Sequence, residues 1–431
     1  MRISRLALSA MIAGACVGGT AMGQQAQSNS SPYKSVSYFS EDAAAPCEGG
    51  SCSDDASCDA SGCDTSGCDG LGSGCGAGFG LLGCCDLGEP WKLCDGDVCG
   101  WTFGGWTSVG YHSANTNLNF NNYDGRVQLG QQWFYAEKIA DGSEGLGFGG
   151  RIDYLYGTDA PDTQAFGVGG TATQWDNLWD NGFAYGHALP QAYVEIASGD
   201  FSVKVGKFFT LIGNEVVGST SNFFYSRQFT FYNAEPFTHT GALSTYNLDD
   251  DTVLYNGWTS GWDSGFERNG SAYMGGFKRQ LTDNTSFLYA TTLGRFGKTV
   301  GEDGGLHSFL LTSALSDNLT YISQTDILYT SNNAGTTQRN TFGNINYLIY
   351  SINDCVSFGQ RFEWFNFGGA GFSDVRNDDL YNYTVGFNLK ASANLMFRPE
   401  VRWVFDREQF GFLESGKSSQ AIFGSDMVFT F

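Results

Sequence analysis

The chain has little of what a helical protein is built from. Only 7 of its 431 residues are proline and only 4 are histidine. Windows rich in alanine and leucine with an apolar period of 3.6 residues, which mark an amphipathic helix, are nearly missing. Beyond the N-terminus no stretch approaches 18 apolar residues, which excludes a membrane-spanning helix. Basic residues are also in deficit, 23 Lys and Arg against 45 Asp and Glu, a formal charge of −22. That balance excludes a nucleic-acid binder held by phosphate contacts. In their place stand 60 glycines, an aromatic content of 15% and many Asn and Thr. This composition favours strands. If such a chain sits in a membrane, a closed barrel is the one arrangement left that satisfies its backbone.

Met1-Arg-Ile-Ser-Arg5, the apolar run Leu6 to Val17 and the small residues Ala21 and Gly23 read as a signal peptide over 1–23. The alternative, a lipoprotein site at Ala13-Gly-Ala-Cys16, lacks the usual large aliphatic residue three positions before the cysteine. Both readings export the chain. Residues 24–87 form a Cys/Gly/Ser/Asp-rich segment with too few apolar side chains to offset its ordering entropy. Ten of the twelve cysteines fall in or just after it: Cys47, Cys52, Cys58, Cys63, Cys68, Cys75, Cys84, Cys85, Cys94 and Cys99. In an oxidising compartment these are disulfide candidates, within or between chains. The Cys94–Cys99 spacing is near that of a zinc pair, but no Cys/His set completes it, so no metal is expected. Cys355 stands apart from the rest.

From Trp101 onward sixteen alternating segments follow: 102–113, 126–138, 145–156, 187–197, 201–212, 239–248, 252–260, 271–281, 285–295, 306–315, 319–329, 341–352, 355–366, 380–390, 394–405 and 421–431. In the last, Phe423, Met427, Phe429 and Phe431 share one face, and the chain ends on that face's final aromatic. Short connections follow even-numbered segments (Ser198-Gly-Asp200, Asp249-Asp-Asp251, Thr282-Asp-Asn284, Ser316-Asp-Asn318). Long ones follow odd-numbered segments, including 157–186, 213–238, 296–305, 367–379 and 406–420. Segments of about ten residues with this parity predict a transmembrane antiparallel up-and-down β-barrel over 88–431, all-β, with both termini periplasmic.

The chain also resembles the β-barrel porin-2, OmpL-like family. The likeness runs in order through Gly88-Glu-Pro-Trp-Lys-Leu93, Gly150-Arg-Ile-Asp-Tyr-Leu-Tyr-Gly157, Ala188-Leu-Pro-Gln191 and Val203-Lys-Val-Gly-Lys-Phe208. It continues in Asn222-Phe-Phe-Tyr-Ser226, Glu235-Pro-Phe-Thr-His-Thr-Gly241, Gly257-Trp-Thr-Ser-Gly-Trp262, Arg361-Phe-Glu-Trp-Phe365 and Arg398-Pro-Glu-Val-Arg-Trp403. The resemblance implies an outer-membrane porin-like barrel and carries no substrate with it.

Two phosphate-site patterns are present and neither has the context it needs. Gly411-Phe-Leu-Glu-Ser-Gly-Lys-Ser418 fits G-x-x-x-x-G-K-S, but only a strand's length of chain follows it, leaving no room for a helix. Gly145-Leu-Gly-Phe-Gly-Gly150 lies inside an alternating strand. Mid-strand ionisable residues on inward faces carry more. Arg151, Asp153, Glu195, Lys204, Arg361, Glu363, Arg398, Glu400 and Arg402 either line water or pair across strands, because charge facing lipid is costly. The third long connection, with Glu215, Arg227 and Glu235, has the length to fold inside as a constriction facing Arg361, Arg398 and Arg402; the competing reading has it cover the mouth or a neighbouring subunit. The expected function is a passive diffusion channel for small hydrophilic solutes, without cofactor or catalytic residue. Its partners are outer-membrane lipid and those solutes, with a homotrimer as one assembly open to it. The alternatives are an envelope anchor cross-linked through the Cys-rich segment and a barrel-embedded lipid hydrolase, for which His239 is the best candidate.

Overall fold

The computed structural model describes residues 87–431 apart from 95–97, 117–119, 121–122, 166–174, 177–178, 180–183, 266–269, 298–300, 373, 407–412 and 414–416. The signal peptide, the Cys-rich segment up to residue 86 and its cysteines from Cys47 to Cys85 lie outside the described residues.

The strands are β1 Thr102–His112, β2 Val127–Lys138, β3 Gly147–Gly157, β4 Gly186–Ala188, β5 Ala192–Ser198, β6 Phe201–Phe209, β7 Thr238–Asp249, β8 Thr252–Thr259 and β9 Ser271–Thr282. They continue as β10 Thr285–Arg295, β11 Asp303–Ser316, β12 Leu319–Ser331, β13 Thr337–Ser351, β14 Val356–Gly369, β15 Asp374–Ser392, β16 Leu395–Asp406 and β17 Ser419–Thr430. Both β4 and β5 pair with β3, Leu155 opposite Ala188 and Ile152 opposite Ala192. They are one crossing interrupted at Leu189-Pro190-Gln191, where Pro190 has no N–H to give the ladder. The Gln191 carbonyl resumes it by accepting from the Asp153 N–H at 3.0 Å. Sixteen antiparallel crossings therefore form one closed barrel, as the alternation predicts. Several run longer than the alternation marks them, β15 from Asp374 rather than 380, because ladder bonds continue past the end of the apolar pattern.

Closure is made by the two ends of the barrel sequence. β17 pairs with β1 from Trp106–Thr430 to His112–Gly424. Beyond that register Gly105 N–H donates to the Phe431 carbonyl (2.9 Å) and Phe431 N–H to the Gly105 carbonyl (3.0 Å). Gly105 has to be glycine here, since a Cβ would lie 2.1 Å from the Trp133 carbonyl and 2.7 Å from the Phe431 ring. On β17, Phe423, Met427 and Phe429 point outward and are exposed, while Ile422, Asp426 and Val428 point inward and are buried.

The short turns and both ends of the barrel lie on one rim, called here the terminal rim; the long loops lie on the other. A segment preceding β1 is strapped to the terminal rim. Ala393 N–H donates to the Leu87 carbonyl (2.9 Å). The Asn394 amide then imitates a strand, accepting from Trp91 N–H (2.6 Å) and donating to the Trp91 carbonyl (2.8 Å). The Trp91 ring stacks on Phe429 at 6.1 Å.

Two cysteines depart from expectation. Cys94, expected in a disulfide, has a free and exposed thiol, because residues 88–94 lie along the rim with their sides open. Cys355, which stands apart in sequence, is disulfide-bonded, as is Cys99. Its turn lies beside the end of β15, where Lys390 N–H donates to the Cys355 carbonyl (2.8 Å), on the rim that holds Leu87.

A chain beginning at Gly88 should reach the heat-modifiable barrel in detergent, whereas one beginning at Trp101 loses the Asn394 clamp and should unfold at a lower temperature. Equal midpoints for the two chains, read by gel shift against temperature, would show the strap to be ornamental.

Candidate functional site

The third long loop, residues 210–237 between β6 and β7, folds into the barrel. A loop there has no neighbouring strand to take its backbone groups, and each one left unpaired is costly. Charged side chains of the wall supply the partners. The Glu363 carboxylate accepts from the N–H groups of Phe229 (3.0 Å) and Thr230 (2.8 Å), at the start of the short helix Phe229–Ala234. The Glu400 carboxylate accepts from the N–H groups of Tyr225 (2.9 Å) and Ser226 (3.1 Å). Arg398 donates to the carbonyls of Ser219 (2.7 Å) and Asn222 (2.6 Å) while its other edge is paired with Asp426. Arg361 donates to the Ser226 carbonyl (2.9 Å) and forms an ion pair with Glu215 at 2.5 Å. Arg402 sits over the Phe229 ring, 5.4 Å from its centre. Within the loop, Arg227 donates to the carbonyls of Val216, Val217, Phe224 and Tyr225.

The sequence places Glu215 and Glu235 across water from Arg361, Arg398 and Arg402. The structure corrects this. Glu215 touches Arg361 directly, and Arg361, Glu363, Arg398, Glu400 and Arg402 are no more than 4% exposed. They hold the loop rather than line water, because the loop needs acceptors and donors wherever it crosses the wall. Glu235, in the loop, lies elsewhere, against β12. Gln324 donates one amide to both Glu235 (2.7 Å) and Asp326 (2.8 Å). Burial, and after it the neighbouring Asp326 carboxylate, push the Glu235 carboxyl well above its ordinary range.

Sequence reading also misses an apolar seat for the loop. Leu243, Tyr255, Met274, Ala290, Leu306 and Leu328 point inward from β7–β12 and are at most 4% exposed. They form one cluster with Leu211, Ile212, Phe229 and Ala234 of the loop and with Trp262 and Phe296 from the next two loops. Alternation marks these positions, but nothing in the pattern says that a loop covers them.

The other expected residues, Arg151, Asp153, Glu195 and Lys204, come together on β3–β6. Arg151 bridges Glu137 (3.0 Å) and Asp153 (2.8 Å) and lies over the Tyr135 ring at 4.5 Å. Lys204 lies over Tyr193 at 4.8 Å, and Glu195 accepts from Ser202 (3.0 Å). The side chains of Arg151 and Glu137 are 19% and 28% exposed, so this wall meets water where the β14–β16 wall does not. Glu137 and the two tyrosines are absent from the sequence-derived set. Following the inward row of β2 through Trp133 and Tyr135 would reach Glu137, which faces Arg151 across the ladder.

His239 is fully buried, with its ring nitrogens 3.1 Å from the Gly261 carbonyl and 3.1 Å from the Thr210 hydroxyl. Both are used to hold the base of the third loop. The G-x-x-x-x-G-K-S stretch lies largely outside the described residues and leads directly into β17.

A sheet of sixteen crossings closed on itself, with a loop anchored in a charged interior, defines a porin-type barrel. Residues 100–431 match the family model described as "Putative beta-barrel porin-2, OmpL-like", and the chain belongs to that family. Among solved structures, it is similar to an anion-selective porin from Comamonas acidovorans (9% identity, 77% of this chain and 99% of that one, TM-score 0.53). In-vitro folded OmpT of Vibrio cholerae in its trimer form gives 11% identity, 77% and 99% coverage and a TM-score of 0.51. The outer-membrane channel DcaP of Acinetobacter baumannii gives 10%, 77%, 97% and 0.50. No curated protein matches the chain. The likeness is one of fold; the family places the protein in the bacterial outer membrane.

Two outcomes follow from the loop's anchoring. Glu215→Ala leaves the Arg361 guanidinium buried without its partner, a loss of about 3–5 kcal/mol. Tryptic cleavage after Arg227, the single basic residue of the loop, should then appear where the parent resists; continued resistance would mean that the apolar seat alone holds the loop. A carboxyl whose folded pKa is raised contributes docking energy that is complete below the ordinary carboxylate range and lost as pH rises through the raised value. Cleavage after Arg227 should therefore quicken as pH rises above the ordinary carboxylate range, and Glu235→Gln should flatten that dependence.

Proposed function

We propose that the barrel is a passive diffusion channel for small hydrophilic solutes whose bore is set by the third loop. The observation that carries this reading is the division of the interior. One part of the wall, β7–β17 with β1 and Gln131 of β2, is occupied in holding the loop, and the part around Glu137 and Arg151 on β2–β6 keeps charged groups in contact with water. Solutes would pass along this second part of the wall, beside Glu137, Arg151 and Glu195, with Asp153 buried behind Arg151. Two partly exposed carboxylates, Glu137 and Glu195, against the partly exposed Arg151 favour a mild preference for cations.

In this reading a signal peptide over 1–23 delivers the chain, the terminal rim faces the periplasm and the long loops face outward, as the general plan of such barrels has it. The assembly is a homotrimer in outer-membrane lipid. The protein is not an enzyme, and His239 serves the loop's base.

Purified protein in planar lipid bilayers should conduct ions. Glu137→Gln with Glu195→Gln should move the reversal potential in a salt gradient towards anions, while Glu215→Ala should raise conductance by loosening the loop. A barrel that folds but passes no current, with the loop held or loosened, would sink the channel and leave the envelope anchor standing.

A further inference from the structure

Outward rows of the barrel are mainly aromatic and aliphatic, as a surface facing hydrocarbon requires. Thr107 with Gln132, and Ser244 with Asn256, interrupt them as single cross-strand pairs. The broadest polar interruption among the described residues lies on β12 and β13. Ser323 stands opposite Asn346, and Thr325 opposite Asn344. Thr325 is the middle residue of β12 and Asn344 the middle residue of β13, so the patch sits at mid-height, where a bilayer holds no water. It is an island: Asn344 and Asn346 face Trp364 and Phe362 on one side, and Thr325 and Ser323 face Phe309 and Leu311 on the other.

A row of side-chain hydrogen bonds runs along it. Tyr321 donates to Asn346 (2.7 Å), Asn346 to Asn344 (2.9 Å) and Asn344 to Thr325 (2.9 Å). The row leaves donors over. An Asn amide carries two N–H groups, and the side chain of Asn346 makes a single donation. The Ser323 hydroxyl makes no side-chain hydrogen bond among the described residues. Lipid tails offer no acceptor, so these groups are stranded unless another protein covers them.

Symmetry narrows the choice of protein. In a cyclic assembly the residues nearest the axis meet their own copies, so the contact must complement itself. Amides and hydroxyls, each both donor and acceptor, can do so, whereas a row of like charges would repel. We propose that the outward face of β12–β13 is the contact between copies of this chain, with Asn344 and Asn346 beside the axis. This deepens the homotrimer of the functional reading by assigning its surface, and it uses none of the residues that hold the third loop or line the water.

The test uses the full chain in detergent and in lipid nanodiscs. Sedimentation should show an oligomer that Asn344→Leu with Asn346→Leu weakens at least tenfold, with heat-modifiability retained. Asn346→Cys should yield, under mild oxidation, a peptide joined 346-to-346, identified by mass spectrometry against the native cysteines. Val205→Cys, on the outward row of β6, should yield no such self-joined peptide. A monomer at all concentrations, or a double-leucine variant that folds and associates like the parent, would overturn the proposal. So would joining through 205 in place of 346. If the double-leucine variant does not fold, the two cysteine variants decide. Current through the parent in planar bilayers reads the channel independently, so a failed contact with current intact sinks only this assignment.

Discussion

Every backbone N–H and carbonyl in this molecule has to find a partner where water is scarce, and the architecture follows from that demand. On the outside it requires that the sheet have no edge, and the chain meets it by pairing its last residues with its first strand, Phe431 with Gly105. Closing sixteen strands leaves an interior too wide for wall side chains to fill. A loop that enters this space brings its own unpaired backbone with it. The demand then recurs inside the barrel, with wall carboxylates taking the N–H groups of the loop and guanidinium groups taking its carbonyls.

This changes what the interior charges are for. Buried ion pairs add little net stability against an apolar replacement, yet removing one member is costly because the other is left stranded. Glu215–Arg361 and Arg398–Asp426 serve as fixed points that specify where the loop lies. The apolar cluster beneath Phe229 supplies adhesion without direction. Together they give the loop one seat. The charges left over, around Arg151, are partly exposed, and in the proposed channel they are the ones a passing solute would meet.

A barrel of this kind makes weak demands on residue identity. Alternation, strand length and turn parity suffice to build the wall, which is why solved porins at about a tenth identity share the fold with this chain. The loop's anchors are different. They depend on particular carboxylates and guanidinium groups meeting particular backbone atoms, and no pattern of polar and apolar letters encodes those meetings.

By itself the sequence determined the wall. A side-chain period of two and the parity of connection lengths are local properties, so sixteen crossings, the inward placement of Arg151 and Glu363 and the outward row of Phe423, Met427 and Phe429 were all legible before any coordinate. Rank in the chain also pointed to the third loop as the one inside. Only the tertiary structure decided which inward charges touch water. Glu215 and Arg361 are 146 residues apart, and their contact depends on the path of a loop across the lumen. The same reason hid the disulfide bond of Cys355 and the clamp of Trp91 on Asn394, 303 residues away. The clamp arises because barrel closure brings the segment before β1 to the rim where the later turns lie.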